Sequence, residues 1–374
     1  MLTPQDPLYE ECVLWLKTSL SQTLISVVTN LLHTRDDFDL QRLWTGLALQ
    51  LLEMFVRRTD TPHVKEFQIH KTRIPALLLT EISLLVSLPS ADSGVSHLAA
   101  QGLRILAFAE RQPDAPENPL ASQDELSKRY PVYERLGDPK VMVVGRVGHQ
   151  KRIRKLLRLM PASSMIHVSM WLECFRRWKT LSEAIDDTRG SSEEASGQRS
   201  GMTQDQMHQW QNLTLFLAAT GGVCLSDEKN LQPLSSVIPP KFLPDQLRTI
   251  ENPSQMVYKF VNQVTLYLFS EDPQLRDTAR EALGAELCPK LYNKLLSHFS
   301  EVVNAVEQNE DSTQVDAGNT KVMMLFIDQF MAVLKAIVEN TQARLEEVVN
   351  IDISSTLTSL THLITRLDVN QDTY

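Results

Sequence analysis

Residues 8–33 read LYEECVLWLKTSLSQTLISVVTNLLH. Val13, Leu14, Leu20, Leu24, Val27, Val28, Leu31 and Leu32 recur at spacings of three and four. That is one apolar stripe on a helix of period 3.6. Such a helix is unstable alone and must bury its stripe against a neighbour. The next segment offers one. Asp36 is placed to cap a helix ending near Arg57–Arg58, whose stripe is Leu40, Leu43, Leu47, Leu51, Met54 and Phe55. The basic pair suits the negative pole of the helix dipole. A third helix is expected from Arg73 or Ile74, with Pro75 in its first turn, to just before Pro89. A fourth spans about Ala91 to Glu110. Short polar connections between them are those of paired antiparallel helices.

The pattern continues along the chain. Residues 111–121, RQPDAPENPLA, read as a linker or long loop, and Gln123 to Leu136 as a weak helix. From Val141 the reading is a short helix to about Arg146, a second ending near Met160, a break at Pro161, and a third from Ala162 to Ile185. Residues 186–202, DDTRGSSEEASGQRSGM, carry too little apolar surface to fold alone. They are expected to be a disordered linker between segments 1–185 and 203–374. Ser191, Ser192, Ser196 and Ser200 are available for phosphorylation there, as in any exposed serine-rich loop. Further helices are expected at 203–220, 254–270, 273–285, 288–308, 318–341 and 343–367, with a Pro-rich loop, SSVIPPKFLPDQL, before the second. In 318–341 the stripe is Val322, Leu325, Phe326, Phe330, Val333, Leu334 and Ile337. Pairs of roughly 40 residues fit HEAT-like or armadillo-like stacking. The expected fold is therefore all-α, an α-solenoid of antiparallel helix pairs, although no tight repeat consensus occurs.

Composition agrees. Gly is 13 of 374 residues and aromatics are 6%, both low for a chain with many turns or strands. The net charge of −9 argues against a general nucleic-acid binder, which would show a basic face. The four cysteines, Cys12, Cys174, Cys224 and Cys288, form no C-x-x-C. With no basic, apolar leader at the start, they read as reduced and mostly buried thiols of a cytoplasmic protein. Residues 206–226 carry no formal charge, yet their apolar core, Leu213 to Leu225, is too short to span a bilayer and reads as a buried helix.

No catalytic or cofactor-binding pattern is present. There is no G-x-x-x-x-G-K-[ST], no H-E-x-x-H and no G-x-S-x-G elbow after a strand. His167 and Cys174, seven apart, can share a helix face, but two such residues read as packing rather than a metal site. One cluster stands out: Arg146, Lys151, Arg152, Arg154, Lys155 and Arg158, flanked by Val147, Ile153, Leu156, Leu157 and Met160. It reads as a solvated face paired with acids of a neighbouring repeat, as a contact for an acidic protein or anionic membrane, or as an RNA contact. Arg176, Arg177 and Lys179 would extend it if the two helices pack antiparallel. Trp171, Phe175 and Trp178 share one face, either as core or as an exposed aromatic strip for a partner.

Residues 210–225, WQNLTLFLAATGGVCL, resemble a segment of neurofibromin and its fungal relatives, in which a tryptophan-asparagine helix opens a stretch ending in a Gly-Gly-Val-Cys-Leu turn. The resemblance continues through VYKFVNQVTLYLFSEDPQLRDTAREALGAELCPKLYNKLLSHF, with its Leu287-Cys288-Pro289-Lys290-Leu291-Tyr292 turn, and through TKVMMLFIDQFMAVLKAIVENT. It covers about 210–370. Residues 1–200 resemble the family only weakly, mainly around GHQKRIRKLLRLM. The resemblance implies the helical solenoid that precedes the GTPase-activating domain of a long cytoplasmic Ras regulator. That domain works by an arginine finger supported by a Phe-Leu-Arg…Asn-Pro-Ala string. No such string occurs here, so Arg57, Arg146 and Arg176 take no such role. The family's chain continues where this one stops, so the resemblance also implies a fragment, a truncated gene model or a product split from its catalytic part. It implies no cofactor, a Ras-family GTPase as partner only through the missing domain, self-association, and peripheral rather than integral contact with membranes.

Overall fold

A computed structural model describes residues 8–56, 66–111, 120, 123–141, 145–160, 164–190, 203–225, 234–248, 252–309 and 317–341, with isolated positions at 354, 357, 358, 361 and 365. Among them every regular element is helical. The α-helices are α1 (Tyr9–His33), α2 (Phe38–Val56), α3 (Glu66–Ser87), α4 (Ser93–Glu110), α5 (Gln123–Leu136), α6 (Arg146–Leu157) and α7 (Met165–Gly190). They continue with α8 (Gln204–Thr220), α9 (Asp245–Arg248), α10 (Pro253–Leu266), α11 (Pro273–Arg280), α12 (Tyr292–Asn309) and α13 (Ala317–Thr341). Two compact units result. One comprises residues 1–213 and 226–251, the other 214–225 and 252–374. The division falls inside α8, not at 186–202.

In the first unit α1 lies beside α3, α2 beside α4, and α3 beside α7. Ser83 Oγ donates to the Val28 carbonyl at 3.4 Å, so the C-terminal ends of α1 and α3 are together. Arg42 pairs with Asp92, so the N-terminal ends of α2 and α4 are together. α1 and α3 thus have like ends together, as do α2 and α4. The Asp92 carboxylate also caps α4, accepting from Val95 N at 2.8 Å. From Pro75 to Ala91 every side chain is buried, so α3 is the central helix of this unit.

That position forces polar groups inward. Glu81 on α3 is fully buried and faces Arg129 of α5 at 3.2 Å, while Tyr133 Oη donates to Glu81 at 2.5 Å. Glu110 of α4 lies 3.9 Å from the same guanidinium. Burial disfavours the charge on Arg129, but Glu81, Tyr133 and Glu110 outweigh it and hold its pKa above the ordinary value. The α3–α4 turn is clamped by amides from other helices. Gln150 donates to Leu88 O at 2.9 Å, Gln209 accepts from Ala91 N at 2.6 Å, and Asn212 donates to Ser90 O at 3.4 Å. These bonds satisfy backbone groups that the end of α3 leaves without helical partners.

In the second unit α10 contacts the 3-10 turn Gly221–Leu225, and α13 packs across the segment 281–286 and the turn 267–269. Phe269, Phe299, Phe326 and Phe330 form its aromatic core, with Phe269 and Phe326 stacked at 4.4 Å and Phe299 edge-on to Phe330 at 4.1 Å. Of the stripe expected on α13, Phe326, Phe330, Val333, Leu334 and Ile337 are buried and Leu325 is half-buried.

Several expectations need correction. The α2 stripe is the largest. Leu40, Leu43, Leu47 and Met54 are exposed; of the expected stripe Leu51 is buried and Phe55 half-buried, and Gln41, Thr45, Ala48 and Leu52 are buried beside Leu51, because α4 and α1 meet that side. Helix α3 starts at Glu66, so Pro75 lies inside it; proline's φ is helical, and the helix forgoes one backbone bond. Pro131 sits likewise inside α5. The short helix expected to end near Arg146 does not: Gly145 adopts φ 79° and α6 begins at Arg146. Helix α7 continues to Gly190, so residues 186–190 are helical rather than linker; 191–202 lie outside the described residues. The helix expected at 273–285 becomes π-helical from Glu281 to Glu286, and this wider turn sets Gly284 against α13. The Pro-rich loop contains two 3-10 turns and α9. Most of the helix expected at 343–367, and of the loop at 111–121, lies outside the described residues.

Candidate functional site

The basic cluster on α6 is divided by the packing of that helix. Its inner face is His149, Gln150, Ile153, Arg154, Leu156 and Leu157. Arg154 is 2% exposed and therefore belongs to the interior. Arg152 donates to the carbonyls of Leu136, at 3.1 Å, and Arg135, so it caps the C-terminal end of α5. Burial lowers its pKa, and the neighbouring Arg135 adds to that against Asp138. Arg146 and Arg158 are half-buried at the two ends. Only Lys151 and Lys155 are exposed, on one line with the exposed Val147 and Leu159. The surface part of the patch is therefore two lysines between two apolar residues.

His149 is stacked on His97 at 3.8 Å between ring centres. Burial, then His97 and Arg152, lower its pKa to about 4, which keeps it neutral beside the guanidinium.

Arg176 and Arg177 do not extend that patch. Both turn to Glu173, which is fully buried: Arg177 Nε donates to it at 3.0 Å, Arg176 lies at 3.8 Å, and Arg35 at 3.7 Å. Arg177 also donates to the Leu32 carbonyl at 2.8 Å, capping α1. Lys179 is exposed and pairs with Glu183. Trp171, Phe175 and Trp178 are core, stacked in sequence at 5.3 and 5.8 Å, so no exposed aromatic strip exists on α7. His167 and Cys174 are both buried. Burial, with Arg129 adding, lowers the His167 pKa to about 3, and burial raises that of Cys174 to about 12. Among the described residues no group of three His, Cys, Asp or Glu is gathered for a metal.

Sequence reasoning missed a cleft of about 290 Å³. Arg35, Phe38, Gln41, Arg177, Asp205 and Gln209 line it, drawn from the α1–α2 connection, α2, α7 and α8. Its polar groups are largely engaged within the protein. Gln41 donates to the carbonyls of Thr34 and Arg35, and Gln209 holds the α3–α4 turn. Thr203 and Gln206 form a reciprocal capping box at the start of α8. No histidine or cysteine lines the cleft, so it offers no nucleophile activated by a neighbouring imidazole. No local pattern could have revealed it, because its residues come from four separate segments.

In the second unit the turn 287–292 meets the stretch 214–225. Cys288 N donates to Ala218 O at 2.9 Å, and a Cβ on Gly222 would lie 2.5 Å from Cys288 Sγ. Gly222 is thus glycine because the 287–292 turn docks directly upon it. In the first unit, Trp210 is fully buried and its indole donates to Ser182 Oγ at 3.0 Å. No family model matches the chain. No described helix is long and apolar enough to cross a membrane.

Proposed function

We propose that this chain is a non-catalytic helical scaffold segment of a neurofibromin-like Ras GTPase-activating protein, and that its helix pairs continue as an α-solenoid. The observation that supports it is the contact between Gly222 and Cys288, which joins two stretches that resemble the family and gives each a structural task. Trp210 and Asn212 likewise serve packing and turn clamping. A scaffold needs such residues and no reactive group. Its work is to present and hold the catalytic domain of the same protein in the cytoplasm, to self-associate, and to take part in negative regulation of Ras. The GTPase itself meets the arginine-finger domain, not this segment. Two measurements test the reading. The purified chain should leave Ras GTP hydrolysis at its intrinsic rate, and acceleration at stoichiometric concentration would refute it. The transcript encoding this sequence should also encode a domain with the Phe-Leu-Arg…Asn-Pro-Ala string; its absence would refute the family assignment.

The exposed line Val147, Lys151, Lys155 and Leu159 favours one second reading, an adaptor that meets an acidic protein or anionic membrane through α6. Lys151→Ala with Lys155→Ala should then abolish salt-sensitive binding to anionic vesicles. Arg152 and Arg154 are unsuitable for this test because they hold the fold.

A further inference from the structure

The apolar arc of α2 is wider than the structure covers. At 100° per residue, Leu43, Met54, Leu47, Leu40, Leu51, Trp44, Phe55, Ala48, Leu52 and Thr45, interrupted by Gln41, lie within roughly 200° of the helical wheel, against about 100° for an ordinary surface helix. One half of that arc, around Ala48, Leu51 and Leu52, is buried, α2 packing on α4 and α1. The other half carries Leu43 at 70% exposure, Met54 at 49%, Leu40 at 38% and Leu47 at 37%. With Gln50, these residues run at spacings of three, four, three and four, the seam of a helix that packs on another helix. Scattered exposed apolar residues are ordinary, but three leucines and a methionine on one line are a contact face.

Charge identifies what fits there. The polar edge beside the seam carries Asp39 and Glu53, both exposed. The cation on that edge, Arg42, is taken by Asp92, with Asp39 at 3.8 Å. A second copy of α2 would fit badly. Antiparallel about Gly46, it would set Asp39 against Glu53, and parallel it would set each acid against itself. The seam from Leu40 to Met54 is also only roughly 20 Å long, small beside the roughly 800 Å² per partner of a stable dimer. We propose that this face of α2 is a docking surface for one amphipathic helix of a partner protein, with leucine-type residues at heptad spacing and lysine or arginine along one flank. The partner helix stacks beside α2 as α4 does on the neighbouring side.

The test uses the full chain and two labelled three-heptad peptides, with leucines at a and d and either lysines or glutamates at e and g. Fluorescence anisotropy should show saturable binding of the lysine peptide, with the glutamate peptide at least about ten-fold weaker. The pair Leu43→Glu and Leu47→Glu should weaken the lysine peptide at least about ten-fold while leaving the urea midpoint unchanged. Equal binding of the two peptides, or none, overturns the proposal. So does a dimer by light scattering that these substitutions dissociate, since a second copy is then the occupant. Unfolding of the double variant also overturns it, because the face would then be interior. Leu47→Gln alone gives a milder check: it should weaken the lysine peptide without shifting the midpoint.

Discussion

Replacing Arg129 by methionine should be among the most damaging single changes in the first unit. The structure sets the size. Glu81 is fully buried and Arg129 is 3% exposed, so the substitution leaves a carboxylate in the core without its counter-charge, with Glu110 close by. Breaking a buried pair in this way costs roughly 3–5 kcal/mol. At 2–4 °C per kcal/mol for a unit of this size, Tm should fall by roughly 6–20 °C. The double variant Glu81→Leu, Arg129→Met removes both charges. It should recover most of that loss, the remaining deficit being the Tyr133 hydroxyl left without its acceptor and Glu110 left without its counter-charge. All 5 tryptophans, Trp15, Trp44, Trp171, Trp178 and Trp210, fall in the first unit. Urea unfolding followed by tryptophan fluorescence therefore reports on that unit alone. A cost below about 1 kcal/mol for Arg129→Met would refute the reasoning. A double variant as unstable as the single would refute it too, because the damage would then be lost packing rather than an abandoned charge.

Three further outcomes are expected. In the second unit, Gly284→Val should cost roughly 1–3 kcal/mol by far-UV circular dichroism in urea, since even a Cβ would stand 2.8 Å from that of Ala336. An unchanged midpoint would mean that α13 shifts freely. Folded His167 stays neutral down to about 3, whereas the unfolded residue takes up a proton near 6.5, so the unfolded state binds more protons between these values. Its contribution is complete above about pH 6.5 and falls by about 2 kcal/mol on going to pH 5, and His167→Asn should flatten that slope by roughly 1.4 kcal/mol per pH unit. A slope unaltered in the variant would exclude His167 as its source. Finally, a thiol reagent should label Cys12 fast and Cys288 slowly, and reach Cys174 and Cys224 only on unfolding. Rapid labelling of Cys174, whose pKa is raised to about 12 by burial, would contradict its place in the core.

Helix existence was legible wherever an apolar stripe had only one possible partner side. On α13 the sequence pattern names the buried residues, because Phe326, Phe330, Val333, Leu334 and Ile337 form a single narrow arc. On α2 it names Leu51 correctly, but Leu40, Leu43, Leu47 and Met54 are exposed. The arc there is too wide, and periodicity alone does not say which half meets α4. The same limit applies to the candidate site. Six basic residues between Arg146 and Arg158 look alike in sequence, yet Arg154 is interior, Arg152 caps α5, Arg146 and Arg158 are half-buried, and the two lysines are exposed. Their separation follows from where α5 ends, which is not written in α6.

The sequence by itself determined the all-helical class, most helix limits, and the absence of catalytic motifs, because these rest on local spacing and residue chemistry. Capping at Asp92, Asn252 and Asp272 is equally local, each side chain reaching a backbone N–H two or three residues on. Only the tertiary structure decided which side of α2 is covered, that Glu81 has Arg129 for a neighbour, and that Gly222 lies under Cys288. Those are contacts between residues tens of positions apart. A helix fixes where its side chains point around its own axis, and only its neighbours fix which of those directions is the interior.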